Sequence, residues 1–109
     1  KSTWDWTLLM MVPDWITADL FEAARETVRA KVGPVIDRLH LETLTEGRCV
    51  QILHLGSFDD EAETLHRLHT EFVPEHGLRL RGRHHEIYLS DFTKTAPEKL
   101  RTILRQPVD

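Results

Sequence analysis

The chain has 109 residues, the size of one average domain, and carries 14 Lys and Arg against 18 Asp and Glu. Its formal net charge of −4 gives no basic surface of the kind that binds DNA or RNA. The longest apolar run, residues 8–13, is far shorter than the roughly 20 residues of a membrane-spanning helix, and no signal peptide opens the chain. We therefore expect one soluble domain over residues 1–109 that contacts neither nucleic acid nor membrane.

The predicted elements of the first half are a strand, a helix and a weaker strand, at residues 4–12, 17–32 and 39–46. Alternation in the first strand places Trp4 and Trp6 on one face. The helix has apolar residues at every fourth position, with Thr17 as its N-cap and Gly33 as its stop.

The predicted elements of the second half are a strand, a helix and two further strands, at residues 49–55, 59–76, 83–89 and 102–105. The apolar stripe of this helix consists of Ala62, Leu65, Leu68 and Phe72. In the third of these elements, Ile87 and Leu89 are expected to face the helices, which leaves Glu86 on the opposite face. The order β-α-β-β-α-β-β predicts an α+β fold in which two helices pack on one face of a mainly antiparallel sheet.

The strand over residues 83–89 also carries the most distinctive polar pattern, with Glu86 between His84 and Tyr88 on one face. One interpretation is that this face is simply hydrated. The other joins it to Trp4 and Trp6, so that aromatic rings surround one carboxylate and attract flat or cationic molecules. Those rings would also desolvate Glu86 and favour its protonated form, which suits acid–base chemistry. Core packing is the competing role for the two tryptophans.

Seven histidines raise the question of a metal site, but their spacing argues against one. His66 and His69 are three residues apart on a predicted helix, whereas His84 and His85 are adjacent on a strand and point to opposite faces. The single cysteine, Cys49, has no Cys-x-x-Cys partner, and a small buried hydrophobe is its expected role. We therefore expect no metal and no cofactor. A lone cysteine also favours a reducing, cytoplasmic location.

Four segments of the chain resemble GyrI-like small-molecule-binding proteins: residues 84–91 (HHEIYLSD), 97–108 (PEKLRTILRQPV), 49–56 (CVQILHLG) and 4–8 (WDWTL). The resemblance implies a bacterial protein built from two pseudo-symmetric strand-helix-strand-strand modules around a cleft. It assigns the pocket glutamate to Glu86 and the pocket tyrosine to Tyr88, with Trp4 and Trp6 as aromatic walls. From its place beside Glu86 on the same strand face, His84 is expected to contact the ligand as well.

The resemblance also implies what such a cleft does. Family members bind bulky, often aromatic drugs, and the same fold forms the effector domain of multidrug-responsive transcription activators. One branch hydrolyses the strained cyclopropane of DNA-alkylating natural products. Both functions stay open for this chain: an enzyme in which Glu86 activates water and Tyr88 donates a hydrogen bond, or a drug-binding effector or sensor domain in which Glu86 only neutralises a cation.

The start of the chain departs from the family pattern. Chains of the hydrolase branch carry a further strand-helix-strand segment before the tryptophan strand, whereas this sequence begins at Lys1 without an initiator Met. We expect the sequence to be the C-terminal portion of a longer chain, or to complete its cleft in a homodimer.

Overall fold

The computed structural model describes residue 5 and residues 7–109, so that Trp4 and Trp6 lie outside the described residues. The chain divides into two compact units, residues 1–44 and residues 45–109. Helices and a three-stranded antiparallel sheet place it in the α+β class, as predicted. Within the described part of the chain, no helix combines the length and the apolar character that crossing a bilayer requires.

The first unit contains helix α1, Ala18–Val32, at the position that the sequence predicts. The side chain of Thr17 accepts a hydrogen bond from the Leu20 backbone N–H at 3.2 Å and so satisfies one of the free donors of the first turn. Gly33 ends the helix with a φ of 73°, a left-handed conformation that glycine adopts without the cost of a Cβ. A 3-10 turn over Gly33–Arg38 follows.

The two strands predicted for this half are not formed by the residues that the structure describes. Residues 7–12 and 39–46 have extended or irregular backbone, and neither segment joins the sheet. Alternating hydrophobicity favours an extended segment, but a strand forms only where a neighbouring strand pairs with its backbone hydrogen-bonding groups. These two predictions are therefore wrong for the described residues, whereas the packing of both helices on one sheet face stays a prediction.

The second unit carries the sheet and the second helical region. Its elements are strand β1 (Cys49–Leu55), helix α2 (Glu61–Arg67), helix α3 (Val73–Glu75), strand β2 (His85–Tyr88) and strand β3 (Arg101–Pro107). The strand order is β1-β3-β2, and both pairings are antiparallel. The last strand of the chain is therefore the centre of the sheet.

The second helical region is continuous from residue 58 to residue 75, close to the predicted bounds, but it changes pitch along the way. A π-helical turn, Leu68–Phe72, joins α2 to α3. Such a turn adds one residue to the repeat, so the residue that faces the sheet after Leu68 is Val73 rather than Phe72. Accordingly, Val73 is 2 % exposed and Phe72 is 43 % exposed. Of the predicted apolar stripe, Leu68 is buried and Leu65 half-buried, whereas Ala62 and Phe72 are exposed, so the prediction is wrong at both ends.

One face of the sheet, which we call the helix-covered face, packs beneath α2. Leu104, at the centre of β3, is fully buried on this face and pairs with Ile52 and Glu86. His54 on the same face is hydrogen-bonded to Thr64 of α2. The prediction that Glu86 points away from the helices is therefore wrong. Residues that pair across an antiparallel ladder lie on the same face of the sheet. The register between β2 and β3 therefore decides which face Glu86 occupies, and the residue pattern of β2 alone does not contain that register.

The opposite face of the sheet holds a charged cluster. The carboxylate of Glu46 lies 2.8 Å from Nη1 of Arg105 and 3.1 Å from Nδ1 of His85. Arg105 also donates from Nε to Gln51 at 2.9 Å. Burial alone would raise the pKa of Glu46, but the hydrogen bonds and charges of Arg105 and His85 outweigh it and lower the pKa below its ordinary value of 4.5.

This cluster predicts a pH-dependent contribution to stability. Because the folded pKa of Glu46 lies below its unfolded value, the contribution is fully present above about pH 4.5 and is lost as the pH falls through the folded pKa. We expect Glu46→Gln to lower the melting temperature at pH 7, and the difference from wild type to shrink towards pH 3. Thermal melts of both proteins over this range test it. A difference that stays constant with pH contradicts the electrostatic origin.

Candidate functional site

Glu86 and Tyr88 of β2 form a hydrogen-bonded pair on the helix-covered face. The Tyr88 hydroxyl donates to Oε2 of Glu86 at 2.9 Å, and Oε1 of Glu86 lies 3.6 Å from Nε2 of His84. The side chain of Glu86 is 19 % exposed, so water reaches the carboxylate but does not surround it. The structure thus brings together His84, Glu86 and Tyr88, three of the five side chains that the sequence predicts. The other two, Trp4 and Trp6, lie outside the described residues.

The Tyr88 phenol is held in its protonated form. Tyr88 is 50 % exposed, so its burial is partial. This partial burial, the hydrogen bond to Glu86 and the negative charges of Glu86 and Glu61 together raise the pKa of Tyr88 to about 12. At neutral pH this side chain is therefore a hydrogen-bond donor and not a base.

Tyr88 is the single tyrosine of the chain, so its ionisation can be followed without a mutation. A free phenol with a pKa near 10 is more than half ionised between about pH 10 and pH 11. We expect Tyr88 to stay protonated there, because its pKa of about 12 is higher. Ultraviolet difference absorbance measures the phenolate, with circular dichroism as the control for folding. In Glu86→Gln the phenolate should form at lower pH, and an unchanged titration contradicts the contact.

Aromatic rings border the Glu86–Tyr88 pair. The Phe58 ring packs edge-on against Tyr88, with centroids 5.5 Å apart, and against Phe92 at 6.1 Å. Sequence reasoning missed both phenylalanines. Phe58 follows the end of β1 at Gly56, and Phe92 follows β2, four residues after Tyr88. The only signal in the sequence was therefore the position of each ring just after a strand.

His54 fixes the turn that carries Phe58. Its Nε2 lies 2.9 Å from the carbonyl oxygen of Ser57, and its Nδ1 lies 3.0 Å from the hydroxyl of Thr64. Because a carbonyl only accepts, Nε2 carries the hydrogen and Nδ1 accepts from Thr64. The buried imidazole thus connects β1 to both ends of the segment 57–64, and the Phe58 ring is positioned by a buried contact rather than by a free loop.

A second pair of rings lies beside the site, where His69 and His84 have centroids 6.4 Å apart. Burial and the charge of His84 lower the pKa of His69. This pair holds too few ligands for a metal. Across residue 5 and residues 7–109, no group of three or more His, Cys, Asp or Glu side chains is placed to hold one.

The second unit also has a groove of about 230 Å³ away from Glu86. It is lined by Gln51, Ile52, Thr64, Arg67, Leu68, Glu71, Phe72 and Glu75. The π-helical turn forms one wall and the edge strand β1 forms the other. Neither Glu86 nor Tyr88 lines this groove, so a structure with a bound ligand can distinguish the groove from the Glu86–Tyr88 pair.

A comparison with protein-family models matches residues 18–109 to the GyrI-like small molecule binding domain. The match covers α1, the whole sheet and the Glu86–Tyr88 pair. A comparison with curated proteins finds no match.

Solved structures from Listeria innocua share the fold. Two of them are described as hydrolases; they are 41 % and 42 % identical to this chain, with TM-scores of 0.78 and 0.77. A third, an uncharacterised conserved protein, is 44 % identical with a TM-score of 0.79. Each alignment covers 90 % of this chain but only 50–52 % of the other protein, so the chain spans about half the length of these relatives.

Proposed function

The chain belongs to the GyrI-like small molecule binding domain family, and from this premise we propose that it binds a bulky aromatic or cationic molecule at Glu86 and hydrolyses it. The observation that carries the proposal is the 2.9 Å hydrogen bond from Tyr88 to a partly desolvated Glu86 beside the Phe58 ring. Relatives described as hydrolases at 41–42 % identity support the catalytic half of the proposal.

Binding follows from the chemistry of the rings and the carboxylate. Phe58 and Tyr88 offer aromatic surface to a flat molecule, and Glu86 supplies the counter-charge for a cation. His84 adds a polar contact at the same carboxylate. In this proposal Trp4 and Trp6 provide further aromatic walls.

For the reaction we propose water addition to a strained, cyclopropane-bearing electrophile. Tyr88 holds Oε2 of Glu86, which leaves Oε1 to accept a proton from water. The water oxygen bonds to one ring carbon as the strained C–C bond breaks, and the electron pair of that bond passes to the other carbon. That carbon then takes up a proton, which Glu86 returns. The product is the substrate plus one water, and ring strain supplies much of the driving force.

Ligand binding is tested first, by tryptophan fluorescence with a panel of planar aromatic cations. We expect quenching in the wild type, and loss of quenching in Trp6→Ala. Trp15→Ala is the matched control, because Trp15 is 70 % exposed in the loop before α1. Quenching that survives in Trp6→Ala and disappears in Trp15→Ala contradicts the proposed walls. Binding of these compounds without turnover of any strained-ring substrate would instead identify a drug-binding effector or sensor domain.

A further inference from the structure

Strand β1 lies at an edge of the sheet, since β3 is the strand that pairs with it among the described residues. The ladder between them shows which backbone groups of β1 are used. The Arg48 carbonyl accepts from the Val108 N–H, and the Gly56 N–H donates to the Leu100 carbonyl, both at 2.9 Å. Hydrogen-bonded positions alternate along an antiparallel pair, so the even-numbered residues of β1 use their backbone groups on β3. The backbone groups of the odd-numbered residues point outward from the sheet: Cys49, Gln51, Leu53 and Leu55.

This side of the strand, which we call the outer edge of β1, lacks the features that keep most edge strands from pairing. Such strands are usually short or carry charges or proline. β1 has seven residues, none of them Asp, Glu, Lys, Arg or Pro, and its Ile52 and Leu53 are 38 % and 49 % exposed. At the other edge of the sheet, β2 has only four residues and carries Glu86. The outer edge of β1 is therefore the one suited to binding another strand.

The second helical region runs antiparallel to β1. Near its start, Thr64 is hydrogen-bonded to His54. Further along, residues 67–75 line the groove beside Gln51 and Ile52, which precede His54 in the strand. The helical side chains of this groove therefore lie next to the outer edge of β1.

The outer edge of β1 is complementary to itself. An antiparallel pairing of two copies about the middle residue, Ile52, aligns the whole of Cys49–Leu55 with its counterpart. Its hydrogen-bonded pairs then use the outward backbone groups, with Gln51 of one copy opposite Leu53 of the other. The two-fold axis of such a pairing is perpendicular to the sheet, so the contact is isologous. The two helical regions thus lie on the same face of the joined sheet and run antiparallel to each other.

Charges on the helical regions fit this arrangement. Arg67 and Glu71 both line the groove and are largely exposed, and they meet each other at 3.8 Å within one chain. When two such segments run antiparallel, the earlier residue of one copy faces the later residue of the other, so Arg67 faces Glu71 twice. Phe72, 43 % exposed on the same wall, meets its own copy between these charges. The charges and the apolar wall therefore favour a second copy of the chain as the partner.

We propose that two copies of this chain associate through the outer edge of β1 and form one continuous antiparallel sheet with the strand order β2-β3-β1-β1-β3-β2. Backbone hydrogen bonds supply the affinity of such strand addition, and the side chains along the seam supply its specificity. The homodimer that the sequence leaves open thus has a defined contact surface. Glu86 and Tyr88 lie on β2, at the outer ends of the joined sheet, so the inference does not depend on the proposed function.

Sedimentation equilibrium over a range of protein concentrations tests the association. We expect the wild type to reach twice the mass of one chain. Leu53→Lys should stay at the mass of one chain, because a charge on the edge opposes strand pairing. Leu89→Lys is the matched control, since Leu89 is 47 % exposed just after β2 and the same substitution there should leave the dimer intact. Circular dichroism verifies the folding of both variants.

The facing charges provide a second test that leaves β1 unchanged. Arg67→Glu should raise the dissociation constant of the dimer roughly tenfold, because the two-fold axis repeats each exposed ion pair that is lost. Combining Arg67→Glu with Glu71→Arg restores opposite charges across the axis and should restore the wild-type constant.

A wild type that stays monomeric at every concentration overturns the proposal, and so does a dimer that Leu53→Lys leaves intact. If Leu53→Lys fails to fold, the charge variants decide: equal dissociation constants for the wild type, Arg67→Glu and the double variant contradict the two-fold contact. Tryptophan quenching by aromatic cations is measured separately, so the failure of this proposal and the failure of the proposed function are distinguishable.

Discussion

Glu86→Gln is expected to lower turnover of a cyclopropane-bearing aromatic substrate by roughly 10²–10⁴-fold, the usual contribution of a positioned general base. The amide keeps the size of the side chain, and its oxygen can still accept the hydrogen bond from Tyr88, so the local geometry is preserved. It cannot take a proton from water, and it carries no charge. The variant thus separates the chemistry of the carboxylate from its shape.

Steady-state rates and binding should be measured on the same preparations. Neutral aromatic ligands should bind to Glu86→Gln as they do to wild type, whereas cationic ligands should bind more weakly. Glu63→Gln, on an exposed position of α2, is the matched control and should change neither quantity. Unchanged turnover in Glu86→Gln eliminates the carboxylate as the base.

Leu104→Ala is expected to destabilise the fold by about 3 kcal/mol, within the range for a buried leucine that leaves a cavity. Leu104 is 0 % exposed at the centre of β3, between Ile52 and Glu86 of the flanking strands. A loss of this size lowers the melting temperature of a small domain by roughly 10–20 °C. The same cavity removes the support under Glu86, so ligand affinity should fall as well.

Urea denaturation measures the change in unfolding free energy directly. Leu55→Ala is the control, because Leu55 is 65 % exposed at the end of β1 and should cost well under about 1 kcal/mol. Equal losses in the two variants would mean that the core does not lie between α2 and the sheet.

Local signals in the sequence predicted the helices well. The Thr17 cap and the Gly33 stop bound α1, and the acidic first turn and Gly77 bound the second helical region. They did not predict the π-helical turn, which exchanges Phe72 for Val73 in the core, because no residue type encodes it. The unformed strands at residues 7–12 and 39–46 show the other limit, since pairing depends on a partner strand and not on the segment itself.

The candidate site, like the fold, was only partly predictable from the sequence. Glu86 and Tyr88 are two residues apart on a strand, so the sequence alone places them on one face. Phe58 comes from a distant part of the chain and reaches this face through the turn after β1. Its contact with Tyr88 could be found only once the fold was known.

The most direct test is a crystal structure of the protein with a planar aromatic cation bound. The account predicts that the positive nitrogen lies within about 4 Å of the Glu86 carboxylate, as in other charge pairs, and that the ring packs on Phe58 and Tyr88. A ligand found instead in the groove between β1 and the π-helical turn, with Glu86 still hydrogen-bonded only to Tyr88, contradicts it.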